Sequence, residues 1–154
     1  MKKTIAIGVF SCLLSYSAIA ENGLVTIKSN HNVDQTTQNL VTVLEKKGMT
    51  VFTQIKHDEG AKKVGMELRP TRLVIFGNPK VGTPLMKCSQ TAAIDLPQKM
   101  LIWQDEAGHN WLSYNSPDYL NTRHGLDMNS ENKCAKVIGK VKQALSNFAK
   151  AATQ

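Results

Sequence analysis

A short apolar run that ends in turn residues constrains the fold of this chain more than any other feature. Residues 72–76 read Arg-Leu-Val-Ile-Phe, and Gly77-Asn78-Pro79 follow them directly. A run of this length, rich in bulky apolar residues and closed by Gly and Pro, is typical of a strand covered on at least one face. Thr83 and Pro84 then have the order of an N-cap and a first helical residue. The sequence therefore predicts strand, turn and helix over Leu73–Pro84.

Hydrophobic periodicity and capping residues predict three further helices. Asn32 is in an N-cap position, and Gly48 supplies the residue that ends a helix. The residues between them form one apolar face, made of Val33, Thr37, Leu40, Val41 and Leu44. A short helix is expected over Pro117–Arg123 with Ser116 at its start, and a long amphipathic helix opens near Ser130.

The remaining apolar segments predict strands. Leu24–Ile27 and Met49–Ile55 are short and rich in β-branched residues, and Met100–Gln104 and Asn110–Tyr114 flank a five-residue loop that contains Gly. The last two segments predict an antiparallel hairpin. Strands that alternate with helices early, followed by a hairpin, favour an α+β fold. In such a two-layer sandwich, helices pack on one face of a largely antiparallel sheet.

The first 20 residues have the three parts of a secretory signal peptide. Lys2 and Lys3 precede an apolar stretch, and Ala18-Ile19-Ala20 has the small-residue pattern of a cleavage site. Cleavage after Ala20 would leave residues 21–154 as one periplasmic or secreted domain without a transmembrane segment. Its 17 basic and 12 acidic residues give a net charge of +5, which suits anionic molecules. Scattered lysines without interleaved aromatic residues argue against nucleic acid.

Several blocks of residues resemble a known bacterial family. They are the segment 68–83, Asp95-Leu96-Pro97, the segment 114–120 and Arg123-His124-Gly125-Leu126. Together they are similar to the family catalogued as domain of unknown function number 302, and the resemblance covers residues 23–154. It implies a two-layer architecture of the same kind. It implies no reaction, because the family has no settled activity.

Cys88 and Cys134 are the cysteines that would remain after cleavage. In an oxidising compartment such a pair favours a disulfide, which would tie the helix after Thr83 to the start of the last helix. The alternative is two buried thiols too far apart to join. There is no Cys-x-x-Cys spacing for redox catalysis and no metal-ligand spacing among the histidines, so neither a metal nor another cofactor is expected.

An anion-binding cleft is predicted at the turn after the 72–76 strand. Asn78 and Thr83 lie where a strand end and a helix start would present free backbone N–H groups, which bind carboxylates and phosphates. Three more residues, His57, Arg69 and Thr71, are expected nearby, and His124 is added from the pattern that resembles the family. The full set of ligand-binding candidates is therefore His57, Arg69, Thr71, Asn78, Thr83 and His124. The alternative is a tight turn whose flanking arginines face water.

No catalytic motif accompanies these residues: a nucleophile elbow, a His-Glu-x-x-His motif and a dinucleotide fingerprint are all missing from the sequence. The sequence therefore favours an exported binding or accessory domain for an anionic or amphipathic small molecule or a partner protein. An enzyme that uses His57 or His124 as general acid or base is one alternative, although both histidines also suit structural hydrogen bonds. A structural module that forms a homodimer through an open sheet edge is another.

Overall fold

A computed structural model of this protein describes residues 18–19, 23–126 and 133–154. The predicted signal peptide, residues 1–20, lies outside the described residues except for Ala18–Ile19. Ser130, where the last helix is expected to open, also lies outside them.

Strands and helices follow one another along the described residues. The strands are β1 (Ala18–Ile19), β2 (Leu24–Lys28), β3 (Thr50–Lys56), β4 (Thr71–Gly77), β5 (Gln98–Gln104) and β6 (Asn110–Asn115). The α-helices are α1 (Val33–Lys46), α2 (His57–Lys63), α3 (Pro79–Cys88), α4 (Pro117–His124) and α5 (Lys133–Thr153), and a 3₁₀ helix covers Gln90–Asp95.

The strands form one antiparallel sheet with the order β1-β2-β6-β5-β4-β3. Buried residues of α1 and α5 share one core cluster with the buried residues of the sheet, so the predicted α+β sandwich is confirmed. β5 and β6 form the predicted hairpin, with Trp103 opposite Trp111. β3 lies at the edge of the sheet, which is the kind of edge that the predicted homodimer would use.

Alternating burial along β4 shows how the core is built. Arg72, Val74 and Phe76 are buried, and the residues between them are partly exposed, because successive side chains of a strand point to opposite faces. Phe76 meets Phe148 of α5 edge to face, with ring centroids 6.2 Å apart. β4 is therefore covered by helices on one face, as the sequence predicts.

Local signals determine both ends of α1. The Asn32 side chain accepts a hydrogen bond from the Gln35 N–H at 2.8 Å, which satisfies one of the unpaired donors of the first turn. Gly48 has a φ of 72°, a left-handed conformation that glycine adopts without strain after a helix end. Both sequence signals are confirmed.

The helix expected from Thr83 begins five residues earlier. α3 starts at Pro79, and its N-cap is Asn78, whose Oδ1 accepts from the Lys80 N–H at 2.9 Å. Asn78 and Pro79 have the same order of cap and proline as Thr83 and Pro84, so both pairs suit a helix start. Pro84 is tolerated inside α3, where it lacks the one N–H that would bond back along the helix. The predicted start at Thr83 is therefore wrong.

Arg72 is buried on the helix-facing side of β4, where an ion pair compensates its charge. Its guanidinium binds Asp58 in the first turn of α2, and both side chains are 9% exposed. Nη2 of Arg72 also lies 3.3 Å from Asp34 and 4.0 Å from Glu59. Asp58 in addition accepts from the Thr71 N–H at 3.5 Å. The alternative in which the arginines of this segment face water is therefore wrong for Arg72.

Candidate functional site

An apolar cleft of about 300 Å³ opens beside α3, at the end of the sheet where β4 finishes. Its other walls come from the start of β3 and from the segment that joins the 3₁₀ helix to β5. The apolar side chains that line it are Met49, Phe52, Pro79, Val81, Leu85, Met86, Ala93, Leu96, Pro97 and Val141. This volume is at the lower end of the roughly 300–1,000 Å³ that small-molecule sites span.

Two glycines shape this cleft. A Cβ on Gly82 of α3 would lie 3.8 Å from Leu96 Cδ1, so a longer side chain there would extend into the cleft. A Cβ on Gly77 would lie 3.1 Å from the Phe52 ring and 3.5 Å from Pro97. Because that contact is tighter than ordinary van der Waals packing, any other residue at 77 would move the ring.

Gln98 contributes one unpaired polar atom to the apolar lining. Its Nε2 is buried and has no hydrogen-bond partner among the described residues. Gln98 is the register partner of Phe76, so it lies on the helix-facing side of β5. A buried donor without an acceptor costs about 1–3 kcal/mol. A bound molecule with a carbonyl or carboxylate oxygen could supply the acceptor.

A disulfide joins the helix that borders the cleft to α5. Cys88, the last residue of α3, is bonded to Cys134, and their Cα atoms are 5.9 Å apart. That separation is within the roughly 7 Å that a disulfide allows without backbone movement. Since Val141 of α5 also lines the cleft, the bond holds two elements of the cleft together.

The first three backbone N–H groups of α3 are already bonded within the turn. Pro79 has none, the Lys80 N–H donates to the Asn78 side chain, and the next two N–H groups donate to the Asn78 carbonyl at 2.9 Å. Nδ2 of Asn78 donates to the Gly48 carbonyl at 2.9 Å. The prediction of free N–H donors here is therefore wrong, because the residues of the turn satisfy one another.

The structure separates the ligand-binding candidates into three places. Asn78 and Thr83 line the cleft. Thr71 is the first residue of β4, and Arg69 and His57 lie at the same end, about 20 Å away from the cleft along the strand. The third place is His124, at the end of α4. The single cleft predicted for the strand, the turn and these three residues is therefore wrong, since an extended strand holds its two ends apart.

Arg69, Thr71 and His57 do lie near one another. Thr71 donates to the Arg69 carbonyl at 2.8 Å, and Arg69 Nε donates to the Gln104 carbonyl at 3.2 Å. His57 follows Lys56, whose register partner neighbours Thr71. Both Arg69 and His57 are exposed, and these contacts secure the chain at the start of β4.

The His124 side chain is 4% exposed and has a hydrogen-bond partner at each ring nitrogen. Nε2 lies 2.6 Å from Asp95 Oδ2, and Nδ1 lies 3.0 Å from Thr91 Oγ1. Arg123 Nη1 lies 3.3 Å from the other Asp95 oxygen and donates to the Tyr119 hydroxyl at 2.7 Å. The hydrogen bond to Tyr119 and the charge of Asp95 raise the pKa of Arg123 above its ordinary value. Together these contacts join α4 to the 3₁₀ helix.

Gln98 is the residue of the cleft that sequence reasoning missed. A lone glutamine at the start of a strand gives no signal of burial, because glutamine side chains are mostly exposed. One signal did point to this segment, because Asp95-Leu96-Pro97 directly before it belongs to the block that resembles the family.

Two negative findings apply to the described part of the chain. There, no three His, Cys, Asp or Glu side chains converge to form a possible metal site. The helices of the same ranges are all too short or too polar to cross a membrane.

Known proteins resemble this chain in sequence and in fold. The family described as domain of unknown function DUF302 matches residues 25–148. An uncharacterized conserved DUF302 protein from Bacillus stearothermophilus has a crystal structure with a TM-score of 0.71, which covers 84% of this chain and 98% of that chain at 16% identity. Two curated relatives, both named fluoride-specific ion channel FluC 1, come from Brucella suis biovar 1 (strain 1330) and Brucella abortus biovar 1 (strain 9-941). Each is 43% identical over 115 residues, or 75% of this chain, which spans only 45% and 43% of their respective lengths.

Proposed function

This chain belongs to the family described as domain of unknown function DUF302, and we propose that it is a small non-catalytic binding domain. Its ligand is an amphipathic small molecule whose apolar body fills the cleft beside α3. An oxygen atom of that molecule accepts a hydrogen bond from Gln98.

The unpaired Nε2 of Gln98 is the observation that carries this proposal. The large majority of buried polar groups in folded proteins have a hydrogen-bond partner, so an unpaired donor in an apolar lining indicates a missing acceptor. A purely apolar ligand would fill the cleft and leave the donor unpaired. A ligand with a carbonyl or carboxylate oxygen gains apolar burial and a hydrogen bond worth about 0.5–1.5 kcal/mol.

The Brucella relatives support an accessory role in addition to ligand binding. The segment that matches this chain makes up less than half of each of those proteins, which are named as fluoride-specific ion channels. We infer that a domain of this kind also works as one part of a larger protein, where it would bind a ligand or a neighbouring segment. Channel activity itself is not proposed for this chain.

Gly82→Leu should block the cleft. We expect the affinity for prodan, a neutral naphthalene ketone with one carbonyl acceptor, to fall at least about tenfold, or about 1.4 kcal/mol. The leucine side chain would occupy the space against Leu96, whereas glycine leaves it open. Titration of prodan fluorescence measures the affinity. Gly139→Leu on α5 is the matched control, because a Cβ there meets open space, and it should bind prodan like the wild type.

Gln98→Met should weaken prodan binding and at the same time make the protein more stable. Removal of the unpaired donor should raise the free energy of unfolding by about 1 kcal/mol, and loss of the hydrogen bond should weaken prodan binding about threefold to tenfold. Urea denaturation and the prodan titration give the two quantities. Wild-type affinity in both Gly82→Leu and Gln98→Met would refute the proposed site.

A catalytic function is the second candidate, and the contacts of His124 favour it. Thr91, His124 and Asp95 provide a hydroxyl, a base and a carboxylate in the order that hydrolases with a hydroxyl nucleophile use. Thr91 is exposed, so an ester could reach its hydroxyl. Thr91 Oγ1 would attack the ester carbonyl while His124 accepts the hydroxyl proton, and the histidine would return that proton to the leaving alcohol as the acyl-threonine forms. Water would then hydrolyse the acyl-threonine and restore the hydroxyl. The same contacts also suit a purely structural clamp.

Hydrolysis of p-nitrophenyl acetate distinguishes catalysis from a clamp at His124. If the site is catalytic, Thr91→Ala and His124→Gln should each lower the rate at least about 100-fold, and Thr91→Ser should retain activity. If the site is a clamp, the wild type should hydrolyse no faster than these variants, and His124→Gln should lower only the free energy of unfolding.

We propose in addition that the domain works outside the cytoplasm. The signal-peptide pattern of residues 1–20 motivates this proposal. The bond between Cys88 and Cys134 supports it, because disulfides persist mainly in oxidising compartments. The oxidation state of the two cysteines in cells is therefore the measurement that bears on it.

A further inference from the structure

We propose that the ligand of the cleft is a free single-chain amphiphile with an anionic end, and that three lysines beside the cleft hold this end. The inference rests on the proposed function, since it assigns a charged end to the molecule whose apolar body occupies the cleft; this end is a second polar group, distinct from the oxygen atom that accepts from Gln98. The lysines are Lys80, Lys87 and Lys133.

A second groove, of about 560 Å³, borders the cleft. It is lined by the three lysines, by Pro84 and by the cysteines of the disulfide. Pro79 and Thr83 line the groove as well as the cleft. One molecule can therefore lie across this shared border, with its chain on one side and its polar end on the other.

Helix geometry and the disulfide bring the three lysines together. Lys80 and Lys87 are seven residues apart on α3, which is about two turns, so they lie on the same face of the helix. Lys133 is the first residue of α5 and precedes Cys134. The bond from Cys134 to Cys88 holds this end of α5 beside the end of α3.

The positive charge of the groove has no nearby carboxylate among the described residues. The lining contains neither Asp nor Glu, and none of the ion pairs within 4.0 Å involves these three lysines. By contrast, Lys56 and Lys142 have carboxylate partners at 2.8 Å and 2.6 Å. Three lysines beside an apolar cleft, without a carboxylate partner in the part of the chain that the structure describes, favour a molecule with a negative end.

A free molecule fits this arrangement better than a membrane surface does. A cleft of about 300 Å³ can enclose the apolar part of one small molecule, whereas a bilayer retains its own chains and presents headgroups in a plane. Decanoate, which joins a ten-carbon chain to a carboxylate, is therefore a suitable probe of the anionic end alone, and 1-decanol is its uncharged counterpart. With its polar end in the groove, neither molecule has a second polar group for Gln98, so their comparison isolates the effect of the charge.

Displacement of prodan tests the charge of the ligand. At low ionic strength, decanoate should displace prodan from the wild type at about tenfold lower concentration than decanol, and added salt should reduce this difference. The triple variant Lys80→Gln/Lys87→Gln/Lys133→Gln should lose the difference and still bind prodan. The control Lys62→Gln/Lys140→Gln/Lys150→Gln removes the same net charge from exposed positions outside the groove and should keep the difference.

Three outcomes would overturn the inference and leave prodan binding, and hence the proposed function, intact. The first is equal displacement by decanoate and decanol in the wild type. The second is loss of the difference in the control variant, which would show an effect of net charge alone. The third is a protein that shows no preference for decanoate but cosediments with vesicles of equimolar phosphatidylglycerol and phosphatidylcholine, in a way that depends on the three lysines. That result would identify a membrane surface as the partner. A wild type that does not bind prodan would instead refute the proposed function.

Discussion

Asp58→Ala should lower the free energy of unfolding by about 3–5 kcal/mol, because it leaves a buried guanidinium without its main partner. The Arg72 side chain is 9% exposed. Its other carboxylate neighbours lie farther away: Asp34 at 3.3 Å is largely exposed, and Glu59 is at 4.0 Å. The variant also removes an acceptor of the Thr71 N–H. Urea denaturation followed by circular dichroism measures the loss.

Two further variants control this experiment. Glu59→Ala removes an exposed carboxylate from the same helix; the nearest partner of this carboxylate is Lys56 at 2.8 Å, and it lies 4.0 Å from Arg72. The variant should change stability by less than about 1 kcal/mol. Asp58→Leu combined with Arg72→Met replaces the buried pair with apolar residues and should recover most of the loss. That recovery tests the explanation even if Asp58→Ala fails to fold. A loss below about 1 kcal/mol in Asp58→Ala would mean that Asp34 and Glu59 compensate the arginine by themselves.

Removal of the Cys88–Cys134 disulfide should lower the free energy of unfolding by about 3–4 kcal/mol, because the bond joins cysteines 46 residues apart and restricts the unfolded chain. Denaturation of the oxidised protein, the reduced protein and the Cys88→Ala/Cys134→Ala variant gives the comparison. The reduced protein and the double variant should have similar stability. Dithiothreitol should have no effect on the double variant, which makes it the control for reduction.

The state of the same cysteines in cells tests the proposed export. Protein recovered from the periplasm should begin at Glu21, and after unfolding without reductant it should contain no reactive thiol. Two reactive thiols in that mature protein would contradict the disulfide and remove its support for an extracytoplasmic location.

The sequence by itself determined the features that depend on neighbouring residues. Asn32 and Gly48 bound α1 through hydrogen bonds and backbone conformations within a few residues of the helix ends. A short loop that contains Gly108 was enough to predict the β5–β6 hairpin. The mixture of strands and helices, together with the resemblance to the family, led to the two-layer α+β fold.

A tertiary contact favours one of the two possible starts of α3. Asn78 and Thr83 both precede a proline, and local sequence cannot choose between them. Asn78 Nδ2 donates to the Gly48 carbonyl, 30 residues away, at 2.9 Å. Threonine has no amide group for that bond, so the folded chain favours the start at Asn78.

The candidate sites also depended on contacts between distant parts of the chain, which local sequence does not specify. Arg72 is buried because Asp58 of another element reaches it, and Gln98 matters because no acceptor among the described residues bonds to its Nε2. Thr71 and Asn78 are close in sequence, but β4 places them at opposite ends of the sheet. Residue types and spacing specify local conformation, whereas burial, pairing and the shape of a cleft arise from contacts between residues that are far apart in the chain.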